Sequence, residues 1–103
     1  MKRAIMMDPK DDVATVLNDL VAGDRVTVVS AGQEVVKEVV ATKAIPFGHK
    51  VALDKIEKGA KVIKYGEVIG VASQDIAPGD HAHIHNVDSN RMLLPKVWYR
   101  KER

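Results

Sequence analysis

The chain has 103 residues, enough for one small domain with a modest core. Sixteen Lys and Arg residues nearly balance fourteen Asp and Glu residues, and the net charge of +2 argues against a general nucleic-acid binder. The lack of cysteine excludes disulfides and cysteine nucleophiles, and no apolar run approaches the ~20 residues that a membrane helix needs. We therefore expect a soluble, cytoplasmic protein that binds neither nucleic acid nor membrane.

The first elements predicted along the chain are a strand over 4–7 and a turn over 8–12 that ends in helix-capping residues. Apolar residues then recur at helical spacing: Val13, Val16, Leu17 and Leu20. This spacing predicts a short helix from residue 12 to residue 20. The run 13–16 also suits a strand, and the helix is the interpretation that we favour.

From residue 25 onward the signals favour strands. The predicted strands cover 26–29, 35–40, 50–53, 62–65 and 68–73, followed by a histidine-bearing strand that starts at residue 81. A hairpin turn over 31–34 separates the first two of these strands. Short strands at close spacing, broken by Gly, predict a mainly β fold with one or two short helices.

A local pattern recurs in three places: an aliphatic residue, two spacers, Gly, two spacers, and then Val or Ala. It begins at Leu20, Ile56 and Ile76. The aliphatic residue anchors a turn in the core, Gly supplies a backbone angle that other residues resist, and a strand then leaves. We call each such seven-residue unit a corner. Three corners predict a chain that folds back on itself repeatedly.

The most informative segment contains three alternating histidines, His81, His83 and His85. On a strand all three imidazoles would lie on one face, with neighbours about 6.6–7 Å apart. A pair at this spacing can bind one metal ion or one anionic ligand. The two outer histidines, about 13 Å apart, can share a metal only if the strand bends. The alternative is a polar strand surface that faces solvent.

Two further motifs carry groups suited to chemistry. Pro46 and Gly48 place His49 and Lys50 at the start of a strand, where the histidine suits a base or ligand and the lysine suits a carboxylate. The alternative is an ordinary exposed loop. Lys64 can bind an acid group together with Tyr65, but adjacent residues of a strand face opposite ways, so both serve one site only if the strand has a bulge. The alternative is a hairpin with a packed tyrosine.

Residues 46–86 form a connected series of motifs, Pro-x-Gly-His-Lys-Val-Ala-Leu, Ile-x-x-Gly, Val-Ile-Lys-Tyr-Gly and His-x-His-Asn. This series resembles the N-terminal SAF domain of the altronate and galactarate dehydratase family, a domain that also forms the small subunit of sulfolactate sulfo-lyase. The resemblance covers about residues 4–90. It implies a β-clip fold, which is a long β-hairpin folded on itself, with a domain over 1–90 and a basic tail over 91–103.

The resemblance also implies a chemistry. In that family the small domain works with a much larger catalytic part that eliminates water from a sugar acid with a divalent metal, iron or manganese. The matching positions supply the candidate site residues: His49, His83 and His85 as catalytic, Lys50, Lys64, Tyr65 and Asn86 as substrate-binding, and His83 and His85 as metal ligands. The metal is expected in the assembled enzyme, and the isolated chain is expected to hold no cofactor and to be inactive.

We therefore expect the small subunit of a lyase that dehydrates altronate- or galactarate-like sugar acids with a separate large catalytic subunit. The end of the chain at Arg103 suggests a complete small subunit, its basic tail being either a solvated terminus or a docking arm, and a homo-oligomer is possible. The close alternative is the small subunit of sulfolactate sulfo-lyase. An alternative of another class is a non-catalytic SAF module that binds carbohydrate or protein.

Overall fold

Strands alone make up the regular structure of residues 2–83 and 85–89, the part of the chain that the computed structural model describes. They are β1 (Lys2–Met6), β2 (Val13–Val16), β3 (Arg25–Ser30), β4 (Val35–Val40), β5 (Lys50–Ala52), β6 (Lys61–Lys64), β7 (Glu67–Ala72), β8 (His81–Ala82) and β9 (Val87–Ser89). The mainly β fold is confirmed. Within these residues no helix has the length and apolar character to cross a bilayer. The predicted tail over 91–103 lies outside the described residues, and the domain boundary at residue 90 stays a prediction.

The described strands form two sheets. The larger has six strands in the order β4-β3-β1-β2-β5-β8, with β1 and β3 parallel and the remaining neighbours antiparallel. The smaller has three antiparallel strands in the order β6-β7-β9. One aliphatic core lies within the larger sheet, and a second, which includes Val13, Val62 and Ile76, joins the two sheets. The second core is the part of the fold that supports the candidate site.

The predicted helix over 12–20 is wrong, because residues 13–16 form β2 between β1 and β5. Three of the four side chains of β2 are buried, so both faces of the strand are apolar and the run shows no alternation. The helical spacing arose because buried strand positions happen to precede the buried Leu20 of the first corner. Leu17, which a helix would bury with them, is 36% exposed.

The chain turns at four corners, one more than the sequence pattern identified. The four are residues 20–26, 45–51, 56–62 and 76–82, and we number them first to fourth in chain order. Their glycines all have positive φ, between 84° and 93°, as the pattern required. Their aliphatic anchors are buried and pair by isolated bridges, Leu20 with Ile45 and Ile56 with Ile76. The corners thus act as two bridged pairs that fold the chain on itself, in agreement with the predicted β-clip.

The second and fourth corners bring the functional motifs together. The second corner leads into β5 and the fourth into β8, and these strands pair antiparallel with Lys50 opposite Ala82 and Val51 opposite His81. The fourth corner packs tightly, because a Cβ on Gly79 would lie 1.9 Å from the carbonyl oxygen of Val40. Two motifs about 30 residues apart in sequence therefore lie side by side at one edge of the larger sheet.

Candidate functional site

Three histidines converge where β5 and β8 begin. Nδ1 of His49 lies 3.0 Å from Nε2 of His81, close enough for one ring to donate a hydrogen bond to the other. The ring centroids of His49 and His83 are 4.7 Å apart, and the rings of His81 and His83 stack at 5.2 Å with an angle of 10° between their planes. One nitrogen of each ring lies within 4.8 Å of the others. We call His49, His81 and His83 the histidine cluster.

The cluster forms because β5 pairs with β8, which brings His49 to His81, and because the predicted histidine strand bends at His83. β8 ends at Ala82, the chain bends at His83, and the amides of Asn86 and Val87 donate hydrogen bonds of 3.0 and 2.9 Å to the carbonyl of His83. The rings are consequently closer than in the straight strand that the sequence suggested, since neighbours there would stand about 6.6–7 Å apart. The bend thus gathers the rings on one side.

His85 lies at the margin of this arrangement. Its ring centroid is 5.5 Å from that of His81 and its side chain is exposed, whereas the three-histidine group does not include it. The family resemblance implies His83 and His85 as the metal ligands. The geometry instead joins His83 to His49 and His81. Which of these histidines binds metal stays a prediction.

The cluster favours neutral imidazoles. Burial, and after it the neighbouring His49, His83 and His85, lowers the pKa of His81 from an ordinary 6.5 to about 4. Burial also lowers the pKa of His83, with further contributions from His49 and Lys50. The cause is the cost of placing positive charges close together away from water. Both rings are neutral at neutral pH, the form that binds a metal ion or accepts a proton.

A cleft of about 390 Å³ lies beside the cluster and contains most of the predicted site. Its polar lining is His83, Lys50, Lys64 and Tyr65, and its other lining residues are aliphatic. Within the described residues, five predicted site residues therefore meet at the cleft and cluster, and His85 and Asn86 lie outside the cleft lining. The cleft presents two cationic side chains next to neutral imidazoles, an arrangement suited to a small organic acid.

Lys64 and Tyr65 serve the same cleft because the chain turns between β6 and β7. Tyr65 has φ of 56° and Gly66 has φ of 74°, so the tyrosine leaves the alternation of the strand. The Nζ atom of Lys64 donates a hydrogen bond of 2.8 Å to the Tyr65 hydroxyl and lies 3.9 Å from the centroid of its ring. The sequence analysis required a bulge for this pairing. The tight turn after β6 instead brings both side chains to the same cleft.

Two aspartates that sequence reasoning missed hold this hairpin. Asp11, which is buried, accepts a hydrogen bond of 2.9 Å from the amide of Gly66, and Asp12 accepts one of 3.0 Å from the amide of Ile63. Burial raises the pKa of Asp12 despite that hydrogen bond. The sequence analysis interpreted both as helix-capping residues. The same capacity to accept from backbone amides is used here across two segments about 50 residues apart.

The residues of the cluster fit a divalent metal. Three imidazoles without a carboxylate suit iron better than manganese, which prefers oxygen ligands. The limit of 4.8 Å on the separation of their nitrogens is close to the ~4.2 Å that two metal–nitrogen bonds of about 2.1 Å span, so the three rings are near enough to converge on one ion. A three-histidine set also leaves coordination positions for ligands from outside this chain.

The fold and site together define a small β domain that gathers imidazoles and lysines at one cleft. More specifically, the chain belongs to the altronate/galactarate dehydratase SAF domain family, which matches residues 2–90. The resemblance inferred from residues 46–86 is thereby confirmed.

The relatives differ greatly in length. Altronate dehydratase of Bacillus subtilis (strain 168) is 38% identical over 90 residues, covering 87% of this chain but 17% of the relative. Altronate dehydratase of Escherichia coli (strain K12) is 41% identical over 92 residues, covering 89% and 17%. (2R)-sulfolactate sulfo-lyase subunit alpha of Chromohalobacter salexigens is 35% identical over 88 residues, covering 84% and 94%. The chain spans about a sixth of the length of the two dehydratases and nearly all of the sulfo-lyase subunit.

Proposed function

We propose that this chain is the small subunit of a cytoplasmic hydro-lyase that dehydrates a sugar acid of the altronate or galactarate type with a separate large catalytic subunit. The observation that carries the proposal is the convergence of the histidine cluster with Lys50 and Lys64 at one cleft. Family membership and the names of the dehydratase relatives support the substrate class.

Eliminating a β-hydroxyl from an acid requires a base for the α-proton, a stabiliser of the carboxylate charge and an acid at the leaving oxygen. His83 lines the cleft and belongs to the histidine cluster, so it would hold the metal next to the substrate, and the base for the α-proton would come from the rest of the enzyme. Lys50 suits the carboxylate, and the pair of Lys64 and Tyr65 suits the substrate hydroxyls. Iron bound by the cluster would supply a Lewis acid for the developing negative charge.

Other parts of the enzyme must complete the site. Three imidazoles do not fill the coordination of a divalent ion, and the chain matches only about 17% of each altronate dehydratase. A relative of similar length is named as subunit alpha, which supports a division of the enzyme between chains. The exposed His85 lies beside the cluster, where it is suited to contact the partner or the substrate.

The test is to identify the large subunit by pull-down with this chain from its native cells, to purify the two together and to supply altronate or galactarate. Loss of the α-hydrogen and the β-hydroxyl gives an enol that becomes a 3-deoxy-2-keto acid, which is measured as its semicarbazone. We expect turnover by the complex, none by the chain alone, and at least a 100-fold loss in His83→Ala and Lys50→Met. Lys58→Met is the matched control, because Lys58 is an exposed lysine of the third corner.

Full turnover with His83→Ala would overturn the role of the cleft. A complex that forms without dehydrating any sugar acid would favour a non-catalytic module that binds protein, and binding of the substrate by the chain alone without turnover would favour a carbohydrate-binding module.

The match to 94% of a sulfo-lyase subunit favours a second candidate, the small subunit of sulfolactate sulfo-lyase. The same groups would serve, because removal of the α-proton again precedes loss of a β-substituent, here sulfite. The same complex supplied with sulfolactate distinguishes the two, since release of sulfite without conversion of sugar acids assigns the second function.

A further inference from the structure

Asn86 lies beneath the histidine cluster and is only 4% exposed. Its side-chain Oδ1 accepts a hydrogen bond of 2.9 Å from the amide of His83, and its Nδ2 donates one of 2.8 Å to the carbonyl of His81. The backbone N–H of Asn86 also donates a hydrogen bond of 3.0 Å to the carbonyl of His83. One residue therefore fixes the backbone of two members of the cluster.

The amide side chain is suited to this position by its chemistry. It offers a donor and an acceptor at once, whereas a carboxylate offers acceptors only and a methyl group offers neither. Removing the amide would leave the N–H of His83 and the carbonyl of His81, both partly buried, without these hydrogen bonds. Because unpaired polar groups away from water are costly, we expect the backbone there to shift. The imidazoles project from that backbone, so a shift there changes the separation of their nitrogens.

We propose that Asn86 is a positioning residue for the histidine cluster, which holds His81 and His83 at the spacing that a metal ion needs. The inference differs from the substrate-binding role that the sequence resemblance implied for Asn86, because its buried amide is directed at backbone. It rests on the metal-binding part of the proposed function and not on the identity of the substrate.

A simpler role would be to stabilise the turn, and Gln74 provides the matched comparison. Its Nε2 donates a hydrogen bond of 2.8 Å to the carbonyl of His85, so it binds the same turn at the histidine outside the cluster. Both side chains are amides that bind backbone. Only Asn86 binds the backbone of the cluster itself.

The experiment measures Fe²⁺ binding to the full chain by anaerobic titration calorimetry, with Zn²⁺ as a second probe, alongside thermal unfolding. Asn86→Ala should raise the Kd for Fe²⁺ at least 10-fold, as loss of a residue that orients a metal ligand commonly does. Asn86→Asp should give a smaller increase, because it keeps the acceptor for His83 and loses the donor for His81. Gln74→Ala should change the Kd less than twofold.

Equal losses of affinity in Asn86→Ala and Gln74→Ala would overturn the proposal, and so would an unchanged Kd in folded Asn86→Ala. If Asn86→Ala does not fold, Asn86→Asp decides: an increased Kd supports the proposal and an unchanged one overturns it. A wild-type chain that binds neither metal also overturns it. Turnover by the assembled lyase is measured separately. A failure of the proposal for Asn86 can therefore be distinguished from a failure of the proposed function.

Discussion

The first and fourth corners show what the residue after the corner glycine ordinarily does. In the first corner Asp24 accepts a hydrogen bond of 2.9 Å from the amide of Val21, and in the fourth Asp80 accepts one of 2.8 Å from the amide of Ala77. Both carboxylates close the turn that their own amides also bridge. At this position an aspartate stabilises the corner.

The second corner keeps the same backbone turn but has His49 at this position. The amide of His49 donates 3.0 Å to the carbonyl of Pro46, as the equivalent amides do in the other corners. Pro46 has no N–H, so no donor awaits a side chain there. His49 is thereby free to contact His81, so one backbone position closes the turn in two corners and joins the histidine cluster in another.

The largest expected effect concerns His49 of the second corner. His49→Ala should lower the affinity of the chain for Fe²⁺ by at least about 100-fold, because removal of a ligand should exceed the 10–100-fold loss that accompanies removal of its supporting groups. Titration calorimetry measures the affinity. Asp24→Ala, at the equivalent position of the first corner, should leave it unchanged. Comparable losses of Fe²⁺ affinity in His49→Ala and Asp24→Ala would show that the two corners do not differ in metal binding.

Acidification should destabilise the metal-free chain through His81. Its pKa falls from 6.5 to about 4 on folding, so between these pH values the unfolded chain binds a proton that the folded chain does not. The contribution of His81 to the free energy of unfolding is therefore fully present above pH 6.5 and decreases as the pH falls towards 4. Partial exposure screens the effect, which should amount to about 1–2 kcal/mol.

Urea unfolding at pH 7.5 and pH 4.5 in the presence of a chelator measures this difference. His81→Gln should lose less stability over that range than the unaltered chain. An equal loss in both would show that other groups cause the acid sensitivity.

In the first corner, a change at the equivalent position should lower the stability of the chain and leave its metal affinity unchanged. Asp24→Ala removes the hydrogen bond to the amide of Val21 and should cost about 1 kcal/mol in free energy of unfolding. Urea unfolding measures it. A loss of metal affinity with unchanged stability would contradict the structural role of this corner.

The sequence predicts the corners better than the contacts between them. Three were evident from aliphatic and glycine spacing, which is local, and the same spacing from Ile45 to Val51 marks the one that was missed. It was missed because Pro46 and Gly48 were interpreted only as a bend that places His49 and Lys50 at the start of a strand. The corner directs those side chains, and their chemistry stays a prediction.

Contacts between distant segments could not be predicted in the same way. His81 meets His49 only because β5 and β8 pair, and Gly66 is held by Asp11 across 55 residues. The role of Asn86 required the bend at His83, which interrupts the alternation that predicted a strand. Periodicity describes neighbours along the chain, whereas these contacts depend on which strands become adjacent in the fold.

The smallest effect tests the physical basis of the comparison directly. His49→Asp alone should gain no stability, because Pro46 offers no N–H for the new carboxylate to bind. In the background of Pro46→Ala the donor is restored, and the same change should become stabilising by about 0.5–1 kcal/mol, the worth of one such hydrogen bond. A double-mutant cycle of urea unfolding measures the coupling. Additive effects would mean that the proline is not what allows a histidine at this corner.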